Sequence, residues 1–222
     1  ADIGYEKFWN LKCRYSELKP DAVVIVATVR ALKMHGGGPE VKPGKKLDKA
    51  YKEENLELLE KGCNNLVAHI RTVLKSGSTP VVCINSFYTD TESEYKLIKK
   101  IANLEGARCE VSQHWLKGGL GAIDLANAVV DAANEKNNFS FLYDQNLSIK
   151  ERVEIIAHEI YNAENVNWSD NAMQKLNDLE KNTDSRKMGI CMVKTHLSTT
   201  HDPNIKGAIS GWTLPIRDLS VF

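Results

Sequence analysis

The feature that most limits how this chain can fold is an unbroken run of β-branched and small apolar residues, Asp21-Ala-Val-Val-Ile-Val-Ala-Thr-Val29, with no polar residue at alternate positions. A strand with one wet face alternates, whereas a parallel strand covered on both faces does not. The run therefore reads as a central parallel strand buried on both sides. Thr79-Pro-Val-Val-Cys-Ile-Asn85 repeats the pattern. Between the two, Leu56, Leu59, Cys63, Leu66, Val67, Ile70 and Leu74 fall at three- and four-residue spacings within 53–75 and form the apolar stripe of a crossover helix that ends near Gly77. The alternation continues with a helix over 91–104, a shorter strand over 108–113 and a helix over 122–135. Strand, helix, strand, helix, strand, helix predicts right-handed crossovers and a parallel sheet, with ligands beyond the carboxyl ends of the strands.

After Asn138 the pattern changes. Phe139 to Tyr143 is a short apolar stretch, 148–161 is amphipathic, 169–181 is helical behind a Ser cap, and 189–194 reads as a strand. The fold class is α/β, a mostly parallel sheet with crossover helices over 1–138 carrying the site loops, plus a smaller α/β lobe over 139–222. The 222 residues are 42% hydrophobic, enough for one sizeable core or two small ones.

Composition removes several classes of function. Lys and Arg total 29 and Asp and Glu total 29, so no net field gathers a nucleic acid or an anionic membrane. The longest apolar run, Ala22 to Val29, is far shorter than the roughly 20 residues that span a bilayer. Cys13, Cys63, Cys83, Cys109 and Cys191 stand singly, which argues against a disulfide framework or a zinc site and fits a reducing compartment. The chain opens Ala1-Asp2-Ile3-Gly4 without an initiator Met or a signal peptide, and reads as an excised piece.

Motifs sort by spacing. Gly38, Gly44 and Lys45-Lys46 imitate a phosphate loop, but five residues separate the glycines instead of four, and Lys46 stands where Ser or Thr would meet magnesium. His158-Glu159 lacks the second histidine of HExxH, because Asn162 occupies its place. The six histidines have no ligand spacing, and no metal site is expected. Two post-strand loops carry more. Asn85, Phe87 and Asp90 offer an amide, a ring and a carboxylate that could hold a flat heterocycle; turn chemistry around a core Phe accounts for them equally well. Gln113-His-Trp-Leu-Lys-Gly-Gly-Leu-Gly121 precedes a helix, so the backbone at Gly118, Gly119 and Gly121 suits an anion. Trp115 in that loop either stacks on a ligand ring or folds back on the sheet.

Several blocks together resemble the formate–tetrahydrofolate ligases, also called 10-formyltetrahydrofolate synthetases, which occur alone in bacteria and as the last domain of eukaryotic C1-tetrahydrofolate synthase. They are Ala1-Asp-Ile-Gly-Tyr-Glu-Lys-Phe8, Lys12-Cys-Arg-Tyr15, Lys19-Pro-Asp-Ala22, Val26 to Pro39, Phe141-Leu-Tyr-Asp144, Ile190-Cys-Met192, Lys194-Thr195, His201-Asp-Pro203 and Leu214-Pro-Ile-Arg-Asp218. The resemblance implies a P-loop-NTPase-like core, here without its phosphate loop, since that loop and the family's reactive Lys and Arg precede the point where this chain starts. It also implies ATP, Mg2+ and tetrahydrofolate, with a monovalent cation as a further candidate. In such enzymes ATP phosphorylates formate, and N10 of the folate attacks the resulting formyl phosphate. Phe87 and Trp115 are implied as the two faces of the pterin slot, with Phe8 as another wall. Asn85, Asp90, Gly118, Gly119 and Gly121 are candidate nucleotide or anion contacts, and the reactive residues are not assigned. A cytoplasmic or, alternatively, mitochondrial homo-oligomer with small-molecule partners is implied for the parent, and an isolated chain without turnover. Two rival readings are a non-catalytic folate-binding or dimerisation module, and a different nucleotide enzyme in which Asn85 to Asp90 reads a base.

Overall fold

The computed structural model describes residues 4–41, 44, 46–194 and 198–221. Ala1 to Ile3, Lys45 and Thr195, which belong to the blocks named above, lie outside the described residues. The chain forms two compact units, one of residues 19–139 and the other of residues 1–18 with 140–222.

The 19–139 unit contains β1 (Ala22–Ala27), α1 (Val29–His35), α2 (Leu56–Lys75), β2 (Thr79–Asn85), α3 (Glu92–Leu104), β3 (Arg108–Ser112) and α4 (Ile123–Ala133). The strands lie in the order β1-β2-β3, and both pairings are parallel. One face of the sheet, with Ile25, Ala27, Val82, Ile84 and Cys109, packs against Leu32, Leu59, Cys63, Leu66, Ile70 and Ile98 from α1, α2 and α3. Ile70, Ile84 and Ile98 are wholly buried, each contributing roughly 1.5–3 kcal/mol relative to exposure. The other face is thinner: Val81 and Ala22 meet Leu125, Ala128, Val129 and Ala132 of α4. The ends of the apolar stripe on α2, Leu56 and Leu74, point to solvent.

One expectation is corrected. β1 is not buried on both faces, because it is an edge strand with Val24 and Val26 exposed at 43% and 65%. Sequence pattern reports what a strand is suited to, and the layer that would cover this face is not supplied by α4.

Local chemistry sets the ends of the helices. Thr28 caps α1 by accepting from Ala31 N–H, Asn55 caps α2 by accepting from Leu58 N–H, and Thr91 with Glu94 forms a capping box at α3. The glycine-rich turn after α1 has a packing origin. A Cβ on Gly62 would lie 1.7 Å from Leu32 O, and one on Gly36 would lie 2.0 Å from Leu58 O, so the backbones of α1 and α2 touch where neither carries a side chain.

The second unit contains α5 (Ile149–Glu159), β4 (Ala163–Trp168), α6 (Asp170–Lys181) and β5 (Trp212–Ile216), with β4 and β5 paired in parallel. Ser148 and Glu151 form the capping box of α5, and Ser169 caps α6. A strand over 189–194 is not formed; the pairing partner of β4 is β5, far later in the chain. Met192 is nonetheless buried, while Cys191 and Val193 beside it are exposed, so this stretch inserts one apolar side chain without forming a ladder. Residues 4–18 join this unit and not the parallel sheet, with a physical cause: Trp9 Nε1 donates to Ser140 O at 2.8 Å, Leu142 N donates to Asn10 Oδ1, and Arg14 Nη2 donates to Tyr143 O. Arg152, wholly buried, donates from Nη1 to Met188 O and from Nη2 to Arg186 O, and burial lowers its pKa.

Candidate functional site at the carboxyl edge of the parallel sheet

Three parallel strands put three loops at one edge, and these loops hold most of the residues singled out from the sequence. Asn85 is the last residue of β2 and pairs with Ser112 of β3. Ser86 prolongs that pairing, its N–H donating to Ser112 O at 3.1 Å. The chain then turns, with Phe87 N–H donating to Asp90 Oδ2 at 2.9 Å and Asp90 N–H donating to Phe87 O at 3.0 Å. Asp90 thus closes the turn with its own carboxylate. Burial raises the Asp90 pKa, opposed by the Phe87 N–H and by the charges of Lys33 and Arg30.

Phe87 is half-buried and so is not a core residue of the sheet. The Arg30 guanidinium, from the first turn of α1, lies 4.9 Å from the Phe87 ring centroid, a contact of about 0.5–2 kcal/mol. Nε of Arg30 is buried without a hydrogen-bond partner. One face of the Phe87 ring is therefore taken by a cation.

Trp115 is 54% exposed, so it does not fold back into the core. Its Nε1–H donates to Ser86 O at 2.8 Å, which ties the loop after β3 to the peptide preceding Phe87. The loop is closed at its base by Gln113 N–H donating to Gly121 O at 2.8 Å. Gly121 is required there, since a Cβ would lie 2.5 Å from Gln113 O. Gly118 and Gly119 stand in the exposed span between, and Ala122, at the start of α4, provides no side-chain cap for the first turn. Ser112 Oγ and His114 Nδ1 are 2.9 Å apart at the entry to the same loop.

Phe8 belongs to the other unit. It opens a π-helical turn, Phe8–Lys12, is 39% exposed, and lies 6.1 Å from the ring of Tyr5. In the same segment Glu6 is fully buried with neither carboxylate oxygen hydrogen-bonded. Burial pushes its pKa to about 7, against the opposing pull of Lys7 and Asn10. That unit also holds a cavity of about 860 Å3, lined by Leu11, Tyr15, Val153, Met192, His201 and Leu214 among others. None of the candidate site residues lines it.

Arg30 and Ser86 are the contributors that sequence reasoning missed. Arg30 carried a usable signal, because it stands just beyond the carboxyl end of β1; the Ser86 carbonyl carried none.

The family model described as formate–tetrahydrofolate ligase matches residues 1–222, the whole chain. The chain belongs to the formate–tetrahydrofolate ligase family. It is 56% identical to the formate–tetrahydrofolate ligase of Dehalococcoides mccartyi strain CBDB1 over all 222 residues. Identity is 57% to that of Lawsonia intracellularis and 53% to that of Desulfotalea psychrophila, again over the whole chain. It spans 37%, 38% and 40% of the length of these three relatives.

The described residues of this ligase-family chain also bear on the magnesium that the resemblance implies. No three His, Cys, Asp or Glu side chains among them converge to hold a metal ion. No helix among the described residues is long and apolar enough to cross a membrane.

Proposed function

We propose that this chain is the central, folate-binding portion of a formate–tetrahydrofolate ligase, an enzyme that joins formate to tetrahydrofolate to give 10-formyltetrahydrofolate. The observation that carries the reading is the tether between Trp115 and Ser86 beside a half-buried Phe87. Two aromatic side chains 28 positions apart are brought to one peptide, at the edge of the sheet where ligands of this architecture sit. Membership of the family supports the identity of the ligand as a reduced folate.

The reading gives each of these residues a role. With Arg30 on one face of Phe87, the ring offers its remaining face to a flat heterocycle, and the Trp115 indole, fixed through its N–H, supplies a second wall. Asp90 holds the turn that presents Phe87 and is a positioning residue. Stacking of this kind fixes the pterin and leaves N10 and the glutamyl tail to run outward, where N10 can meet an activated formyl group. In the whole enzyme, ATP activates formate as formyl phosphate, turning a poor leaving oxygen into a good one. The groups that bind the β- and γ-phosphates are assigned to the part of the ligase outside this chain.

Calorimetric titration of the 222-residue chain with tetrahydrofolate tests this. Saturable binding is expected, with Trp115→Ala weakening it several-fold at an unchanged unfolding midpoint. A stably folded wild-type chain that takes up no tetrahydrofolate would overturn the assignment. So would a Trp115→Ala variant of unaltered affinity.

A further inference from the structure

The arginines of this chain differ in how far they are satisfied. Arg14 and Arg152 donate to backbone carbonyls, Arg71 and Arg108 pair with Glu105 and Glu135, and Arg186 lies 3.6 Å from Glu180. Arg217 is exposed to water. Arg30 is the exception. It is half-buried, its Nε is buried without an acceptor, and none of the described residues forms a hydrogen bond or an ion pair with its side chain. Contact with the Phe87 ring uses the charge of the guanidinium and none of its N–H donors.

The acids nearby are committed to other groups. Asp90 spends Oδ2 on Phe87 N–H, and the Arg30 charge is a minor influence on its ionisation. Glu94 holds Lys33 together with the N–H groups of Asn55 and Thr91, and Glu54 accepts from the Thr91 hydroxyl. α1 thus carries two cations three positions apart, Lys33 held by Glu94 and Glu53 O, and Arg30 held by no acceptor. A guanidinium partly stripped of water and given no acceptor is costly, and a ligand that supplies the acceptor removes that cost.

We propose that Arg30 is a substrate-binding residue whose N–H edge takes an oxyanion, a carboxylate or a phosphate, carried by a substrate that enters the slot at Phe87. The inference rests on the reading of this edge of the sheet as the folate site. It adds a group that recognises charge to two that recognise a flat ring. Arg30 follows β1 at the same edge as the loops that carry Phe87 and Trp115, since all three strands are parallel. A guanidinium meets either anion through two parallel N–H···O bonds, of which Nε–H can supply one. Two substrates of the proposed reaction carry such groups, the glutamyl carboxylates of tetrahydrofolate and the phosphate of formyl phosphate. The pterin ring is uncharged and leaves the guanidinium without a counter-ion.

Calorimetry on the full chain tests this with three probes at matched ionic strength: tetrahydrofolate, inorganic phosphate, and 6-methyltetrahydropterin, which has the ring and no anion. Arg30→Met is expected to lose at least about tenfold in affinity for tetrahydrofolate or for phosphate, to keep 6-methyltetrahydropterin within about twofold, and Arg30→Lys to recover part of the loss. A loss confined to tetrahydrofolate names the glutamyl carboxylates, and one confined to phosphate names formyl phosphate. Equal losses for tetrahydrofolate and 6-methyltetrahydropterin, with phosphate unaffected, would overturn the proposal and leave Arg30 as a prop for Phe87. Unchanged affinities for all three would overturn it as well. A second readout needs no folded Met variant: the Nε–H resonance of Arg30 in the wild-type chain, identified by its loss in Arg30→Lys, should shift saturably with tetrahydrofolate or phosphate. A resonance that neither moves, or that chloride or 6-methyltetrahydropterin moves equally, marks at most an adventitious ion only and also sinks the idea. Uptake of tetrahydrofolate without a response at Arg30 leaves the folate reading standing, whereas uptake of phosphate at Arg30 without tetrahydrofolate binding does the reverse.

Discussion

Lys33 Nζ and Glu94 Oε1 are 2.6 Å apart, with side chains 2% and 0% exposed. Lys33 also donates to Glu53 O at 2.7 Å, while Glu94 accepts from Asn55 N–H through Oε1 and from Thr91 N–H through Oε2. One buried ion pair therefore joins α1, the entry to α2 and the cap of α3. The Thr91 cap directly follows Asp90, so the pair also fixes the end of the loop that carries Phe87.

Removing one partner of such a pair strands the other charge, at a cost of about 3–5 kcal/mol. Glu94→Ala additionally deletes half of a capping box. In urea unfolding of the full chain, Glu94→Ala is expected to lose that amount, and the double variant Lys33→Met, Glu94→Leu to recover most of it. A single-variant loss below about 1 kcal/mol would mean that the pair is solvated despite its geometry.

Trp115→Phe separates stacking from tethering. Phenylalanine keeps a ring for a heterocycle and lacks the N–H that donates to Ser86 O. A single neutral hydrogen bond is worth about 0.5–1.5 kcal/mol net, so tetrahydrofolate affinity should fall about two- to twelvefold. Stability should change little, because the indole is half exposed. If affinity in Trp115→Phe matches wild type while Trp115→Ala is weakened, the ring matters and the tether does not.

Much of the parallel unit was legible because each signal was local. Thr79–Asn85 is bounded in the structure at the same residues the apolar run suggested, and Thr91 and Ser169 cap the helices expected after them. β5 was not legible: Trp212-Thr-Leu-Pro-Ile is five residues with an internal proline, and its partner β4 is more than forty positions earlier. Ile190-Cys-Met192 has a better strand composition but gains no ladder partner. In the site, the aromatic residues could be named from their loops, yet the Trp115 bond to Ser86 O joins a side chain to a carbonyl, and every residue has a carbonyl. Arg30 stood at an informative place, just beyond the carboxyl end of β1, but its contact with Phe87 exists only once the neighbouring loop is in place.

The purified 222-residue chain is expected to form no 10-formyltetrahydrofolate from ATP, formate and tetrahydrofolate. Gly38 to Lys46 lacks the spacing that lets successive backbone N–H groups enclose a phosphate, and Lys46 cannot replace a hydroxyl at magnesium. Product formation at rates comparable to an intact ligase would show that the chain contains the whole machinery, and would remove the assignment of the phosphate site to residues outside it.

Glu6 gives a dependence on pH whose sign is opposite to that of a salt-bridged or hydrogen-bonded carboxylate. Its pKa in the folded chain is about 7, against 4.5 for the free side chain, because burial penalises the charged form by more than Lys7 and Asn10 favour it. Between these two values the folded state holds a proton that the unfolded state has released, so stability falls as pH rises from about 4.5 to 7 and levels off above. The difference is on the order of 3 kcal/mol from this one group. Glu6→Gln is neutral at every pH and keeps the shape of the protonated acid. It should match the wild-type chain in urea unfolding near pH 5 and exceed it by a few kcal/mol near pH 8, with the gap opening progressively between. A gap of the same size at both pH values would show that Glu6 does not titrate in this window.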